Sequence, residues 1–300
     1  MPAAPATAPA AALAAGRQLV ADYVALTKPK VQSLLLLTTV TTMLVAGTPS
    51  LELIVLTVVG GYLSAGGAGA VNHWYDRDLD ARMPRTAGRP VPAGRVPPAA
   101  ALAFGLALAA ASFALLTAAV NLLAALLALA GFLGYTLVYT VWLKRRTPQN
   151  IVIGGAAGAV PPLVGWAAVT GELAGTPLYL FAIVFFWTPP HFWALALLMK
   201  DEYARVGVPM LPVVRGERET RRQILLYAVL LYGVTQLPFC AGAFGALYLV
   251  ASMGLGALFI AGAVRLVRRA DRRSALRLYL FSLAYLAALF AAMVADARLA

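Results

Sequence analysis

Apolar residues fill this chain in long unbroken runs, without the strict alternation of a half-buried strand. Runs of 18 or more apolar residues are long enough to cross roughly 30 Å of hydrocarbon as helices. The hydropathy pattern predicts nine spans, at 31–48, 52–71, 99–118, 121–142, 150–170, 177–198, 224–245, 247–264 and 278–296. A membrane β-barrel is a poor fit, because its strands would alternate over about ten residues each. The expected fold is therefore all-α, a polytopic membrane bundle of nine transmembrane helices. The Ala/Pro-rich stretch 1–20 reads as a disordered tail, and 21–300 as one transmembrane domain.

The polar positions between the spans carry the orientation. Three basic residues precede the first span (Arg17, Lys28, Lys30), five fall in 72–98, three in 143–149, six in 199–223 and six in 265–277. Together these are 23 of the 24 Lys and Arg, and only Arg298 lies elsewhere. With nine spans, all five segments fall on one side. The positive-inside rule makes that side the cytoplasm, with the N-terminus in. The short connections on the other side, near 48–51, 119–121, 171–176 and 246, contain no basic residue.

Composition agrees with this picture. Hydrophobic residues make up 61% and charged residues 12% of the chain, and mean hydropathy is +0.80. A net charge of +12 would raise nucleic-acid binding in a soluble protein. Here the charge sits in short loops between spans, so nucleic acid is not expected as a partner and membrane lipid is. The lone Cys240 has no partner for a disulfide. The 265–277 cluster reads as a topology anchor.

Two loops hold more than an anchor needs. The second span ends in NHWYDRDLDARMPRTAGRPVPAGRV, where Asn72, Asp76 and Asp80 recur every four residues. On a helix they line one face, each turned about 40° from the last and roughly 6 Å further along, with Asp78 on the other side. An amide and two carboxylates in a row suit a hard divalent ion such as Mg²⁺, which completes its shell with water and substrate phosphates. Acids at a membrane boundary could equally pair with Arg77, Arg82 and Arg85. The Pro-bounded turn RPVPAGR then brings Arg89 and Arg95 toward the acids, and guanidinium beside a carboxylate–metal site makes a receptor for a diphosphate.

The sixth span contains WTPPHFWALALLMKDEY, with Pro189-Pro190 expected to break or bend it. His191 and Trp193 follow; such a histidine serves either as a buried hydrogen-bonding group or as a contact to a substrate's metal or carboxylate. Asp201 and Glu202 open the next loop, which continues through GVPMLPVVRG to Arg215. On the fourth span Tyr135 and Tyr139 lie one turn apart above Lys144, positions that serve either as interface anchors or as π faces for a cation.

These segments, together with YTVWLKRRTPQNIVIGGAAGAVPPLVGW, resemble the intramembrane UbiA-type prenyltransferases, and within them the haem-farnesylating branch. The likeness runs in order from about residue 20 to 296. It implies a nine-helix bundle around a central cavity with its active-site loops cytoplasmic. It also implies a reaction, in which farnesyl diphosphate, haem B and water give haem O and diphosphate with Mg²⁺ as cofactor. Asn72, Asp76 and Asp80 match the family's first metal motif, and Asp76, Asp80, Tyr139 and Lys144 become the catalytic candidates. Arg89, Arg95, Lys144 and Arg215 become candidate diphosphate ligands, and His191 and Trp193 candidate haem contacts. The family's second motif has two Asp separated by three residues. Here the earlier position falls near Leu198 or Met199, so Asp201 and Glu202 are left as alternative ligands. The short tail without a transit peptide suggests a bacterial plasma (inner) membrane location, and a haem A synthase is a candidate partner. Rival readings are another aromatic prenyltransferase of this type, a transporter of anionic lipids, or an assembly factor with a decayed site.

Overall fold

The computed structural model describes residues 8–299, and among these it is all-helical with nine helices long and apolar enough to cross a membrane. Of the stretch read as a tail, residues 1–7 lie outside the described residues. Residues 8–20 belong to a first helix, α1 (Ala8–Leu26). The spans are α2 (Pro29–Ala46), α3 (Leu51–Tyr75), α5 (Pro98–Ala119), α6 (Leu122–Leu133) with its π-helical continuation to Leu143, and α7 (Asn150–Gly158) with α8 (Val160–Thr170). They continue with α9 (Gly175–Leu198), α12 (Gly216–Cys240), α13 (Ala246–Arg269) and α14 (Arg272–Leu299). Three short helices sit between spans: α4 (Arg77–Arg82), α10 (Lys200–Val206) and α11 (Leu211–Val214).

Several helices extend beyond their apolar runs. Hydropathy places the seventh span at 224–245, but α12 begins at Gly216 and ends at Cys240. Its first two turns are charged, yet the backbone hydrogen bonds of a helix continue wherever the polar end meets water. Its end is set by the turn at Gly242, whose φ of 72° favours glycine. Pro189-Pro190 likewise does not end α9, which runs through both prolines. The prolines leave Phe185 O and Phe186 O without their helical donors, and just before them the Thr188 hydroxyl adds a bond to Val184 O at 2.8 Å.

Helices in lipid have no hydrophobic drive to associate, so close packing and small residues hold them together. A Cβ on Gly67 would lie 2.6 Å from Gly105 O, and one on Gly105 2.8 Å from Gly67 O, so only glycine lets α3 and α5 touch backbone to backbone. Gly165 meets Thr39 O in the same way, seating α8 on α2. The second half, α9 and α12–α14, packs around Tyr248, Phe259 and Tyr285. Because α14 packs on both α2 and α9, it closes the ring of spans. Large apolar residues such as Leu51, Val250 and Leu258 remain exposed on the outer surface, where lipid is the solvent.

The two ends of the bundle differ in kind. At one end, hydrogen bonds join Lys28 to α3, Arg145 to Asp78, Arg82 to Arg205 O and Arg272 to Leu198 O, so the basic segments meet there. At the other end the buried Asp296 carboxylate accepts from Gly245 N (2.5 Å) and Tyr248 N (3.0 Å), capping α13 from the neighbouring α14.

Candidate active site at the basic end of the bundle

Helix α3 gives way to α4 at Asp76, whose φ and ψ of −86° and 7° form the junction. The ladder nevertheless continues across it, with Asp76 N donating to Asn72 O (2.9 Å) and Asp80 N to Asp76 O (2.8 Å). The four-residue register is therefore kept. Asn72, Asp76 and Asp80 are 3%, 0% and 4% exposed, while the Asp78 side chain is 58% exposed. Three buried polar side chains in a row at a membrane boundary need partners.

Four cations supply them. Lys144 donates to Asp76 Oδ2 and Arg145 approaches Asp76 Oδ1 at 3.5 Å. Arg89 holds Asp80 Oδ2 at 2.7 Å, and Lys28 donates to Asn72 Oδ1 at 2.6 Å. The Asn72 amide donates to Asp76 Oδ2 (2.8 Å) and Thr140 Oγ1 (3.2 Å), tying the row to the fourth span. Arg77, Arg82 and Arg85 do not pair with the row; Arg77 bonds Trp74 O and Arg82 bonds Arg205 O. Asp78 pairs outward with Arg145 at 2.7 and 2.8 Å, and this holds its carboxyl below the usual range.

The last ten residues of the fourth span, Gly134–Leu143, are π-helical. The wider turn closes with Lys144 N on Tyr139 O (2.9 Å), so Lys144 reaches Asp76 while Tyr139 packs on Gly154. Such π segments recur at functional sites because they aim side chains that a regular helix would rotate away. Tyr135 and Tyr139 lie 5.4 Å apart, centroid to centroid. Tyr135 also lines a cavity of about 220 Å³. Lys28 lines that cavity too, and Leu35, Leu36, Ala65, Phe132, Val160 and Val164 give it apolar walls. A polar, cation-rich head thus opens on an apolar pocket.

Lys28 is a site residue that sequence reasoning had treated only as an anchor. It sits in the left-handed region (φ 54°, ψ 55°) directly before Pro29, which starts α2 with its side chain turned onto Asn72. Burial, then repulsion from Arg89 and Lys144, push its ammonium down to about 7. The sequence signal was its place beside a proline at the membrane boundary that also holds the acid row.

The other predicted residues are distributed differently. Arg95 does not reach the acids: the turn folds back with Arg95 N and Val96 N both on Pro90 O, which aims the guanidinium at Asp22 (3.0 Å) and Gly88 O. Arg215 is exposed beside the start of α12 and makes no side-chain hydrogen bond among the described residues. Asp201 is exposed and lines a separate polar cavity with Lys200, Glu217, Arg221, Asp271 and Arg272. Glu202 is half-buried, with Oε2 unpartnered. Its neighbour Tyr203 is buried, and this burial raises its phenol. His191 and Trp193 lie on α9, against α14 and α12 respectively.

No three of the described His, Cys, Asp and Glu residues come close enough to hold a metal ion by themselves. One oxygen of the row, Asp76 Oδ1, is nevertheless buried without a hydrogen bond. A single hard carboxylate oxygen fits an ion whose remaining ligands arrive with a phosphate substrate.

Among the described residues, nine spans thus carry buried acids and cations at one end, beside an apolar pocket. The sequence model of the UbiA prenyltransferase family matches residues 35–289, and the chain belongs to that family. It is 54% identical over 280 residues to the protoheme IX farnesyltransferase of Roseiflexus sp. (strain RS-1), covering 93% of this chain and 52% of that one. It is 56% identical over 283 residues to the protoheme IX farnesyltransferase of Symbiobacterium thermophilum, covering 93% and 95%. The chain thus spans about half the length of the first relative and nearly all of the second. Among solved structures, a UbiA homolog from Archaeoglobus fulgidus bound to GPP and Mg²⁺ shares the fold at a TM-score of 0.66 and 18% identity, covering 91% and 99%.

Proposed function

We propose that this chain transfers the farnesyl group of farnesyl diphosphate to a vinyl group of haem B, giving haem O and diphosphate. The observation that carries this is the juxtaposition of a buried cation–carboxylate cluster with an apolar pocket, on a chain 56% identical to a protoheme IX farnesyltransferase along nearly its whole length. The cluster sits on the cytoplasmic side of a bacterial inner membrane, following the positive-inside count. The product passes to a terminal oxidase or to a haem A synthase.

In the resting cluster Lys144, Arg89 and Lys28 are held by Asp76, Asp80 and Asn72. An entering diphosphate offers these cations a denser negative charge, and ionised donors hold phosphate oxygens strongly and directionally. Asp76, with Asp80 and Asn72 beside it, is the place for Mg²⁺, which supplies Lewis-acid neutralisation of the leaving diphosphate. The C1–O bond of the prenyl chain breaks with its electron pair on the diphosphate. Tyr135 and Tyr139 present π faces toward the resulting allylic cation. The apolar walls keep water away until the vinyl carbon has attacked C1. Water then adds to the porphyrin-side cation and loses a proton, leaving a hydroxyethylfarnesyl substituent.

The test is expression of the chain in bacterial membranes lacking their own activity, followed by haem extraction and chromatography. Haem O appears if the reading holds. A prenylated quinone or aromatic product without haem O, or no new pigment at all, overturns it.

A further inference from the structure

His191 lies on α9 between two aromatic faces. Trp187 stacks on one side at 4.3 Å between centroids and 17° between planes, and Tyr279 on the other at 4.9 Å and 26°. The ring plane is therefore fixed from both sides. Its Nδ1 is 2.6 Å from Ser282 Oγ on α14. A serine hydroxyl has one proton to give, and that proton goes to Tyr279 O at 2.6 Å. The hydrogen between Nδ1 and Oγ therefore belongs to the imidazole. Nε2 is left with its lone pair, and it has no hydrogen-bond partner among the described residues. The backbone carbonyl of Ser282 also accepts from Trp187 Nε1 at 2.8 Å, so one residue orients both rings.

We infer that His191 Nε2 is an axial ligand for the iron of the porphyrin substrate, and that Ser282 is the positioning residue that holds the ligating tautomer. This assignment rests on the haem-farnesylation reading. The tautomer separates an iron contact from a propionate contact. An ionised propionate has no proton to offer a lone pair, whereas a neutral imidazole nitrogen is a common metal ligand. A neutral imidazole has one donor and one acceptor nitrogen, and here only Nδ1 is engaged among the described residues. A hydrogen-bonded Nδ1–H behind a free Nε2 is the arrangement that orients metal-ligating imidazoles generally. The stack stands on α9 and α14, which contribute nothing to the acid row. Porphyrin and diphosphate are thus gripped by different walls.

The experiment uses the full-length protein in detergent, titrated with ferric haem B and followed by optical and EPR spectroscopy. Wild type gives an imidazole-ligated spectrum, His191→Ala loses it, and added free imidazole restores it. Ser282→Ala still binds haem but shows shifted ligand-field bands and about 10-fold weaker affinity, and Ser282→Thr returns both. A His191→Ala protein with the wild-type spectrum and affinity overturns the ligand assignment, and a Ser282→Ala protein with unchanged bands overturns the positioning role. If His191→Ala fails to fold, Ser282→Ala decides, since it keeps the imidazole. Haem O is measured on the same membranes. Haem O formed alongside an unchanged His191→Ala spectrum overturns the ligand and leaves farnesylation standing. Ligation lost in a system that makes no haem O supports the ligand and overturns farnesylation.

Discussion

The acidic segment at the end of α3 and the acidic pair at the start of α10 share a sequence plan and reach different physical states. Both place carboxylates just past a span, then a proline-rich turn, then arginine. At α3 the helix ladder carries across the junction, so Asn72, Asp76 and Asp80 stay in register, buried, and each meets a cation or amide. At α10 the two carboxylates are adjacent in sequence and diverge. Asp201 turns outward beside Lys200 and Glu217, and Glu202 turns inward with one oxygen unpartnered. The difference shows what a metal–phosphate site requires beyond acidic residues: continuous backbone register, and counter-charges delivered from other elements.

The sharpest way to break this comparison is to remove the centre of the first cluster. Asp76 is fully buried and is addressed by Lys144, Arg145 and Asn72 together. Asp76→Ala should lower haem O formation by about 10²–10³-fold while membrane insertion is retained; turnover near wild type would remove Asp76 from the chemistry. Lys28→Met comes next. Losing a charge-assisted contact is worth about 2 kcal/mol, so KM for the prenyl diphosphate should rise roughly 30-fold, with kcat changed less. Steady-state kinetics at saturating haem separates the two constants.

Much of the first region was legible in the sequence, and the reasons are physical. Apolar length alone marks a span in lipid, and a four-residue spacing keeps its meaning wherever the helical ladder is unbroken, as it is through Asp76. Lys28 was hidden because its partner is 44 positions away, and because a basic residue at a span's edge already has an explanation in topology. The π-helical turn that aims Lys144 leaves no pattern that hydropathy detects. In the second region, adjacency in sequence could not say which of Asp201 and Glu202 points inward, since that depends on which face of α10 is buried, and Tyr203 on α10 is buried. For Arg95 the prolines did predict a tight turn but not its direction, which Asp22 on α1 supplies.

The α10 pair is tested by its own asymmetry. Glu202→Gln should reduce activity several-fold, because Glu202 carries a buried oxygen that no group among the described residues satisfies. Asp201→Asn, at an exposed position, should leave activity within about twofold, in line with surface substitutions elsewhere. Equal losses in the two variants would mean that the polar cavity around Asp201 serves the reaction as well.

The smallest effect is expected at Arg95, and it bears most directly on what the proline-rich turn is for. If RPVPAGR existed to deliver both arginines to a diphosphate, Arg89→Ala and Arg95→Ala would damage catalysis alike. In the structure only Arg89 reaches the acid row, while Arg95 ties the turn to the buried Asp22. Removing Arg95 strands the buried Asp22 carboxylate, so the cost falls on stability, about 1–3 kcal/mol, rather than on the reaction. Haem O formation by Arg95→Ala should then stay within about twofold of wild type, and Asp22→Asn should behave the same way. A strong rise in prenyl diphosphate KM for Arg95→Ala, with Asp22→Asn unaffected, would mean that Arg95 leaves Asp22 when substrate arrives and that the turn closes over the diphosphate with both arginines.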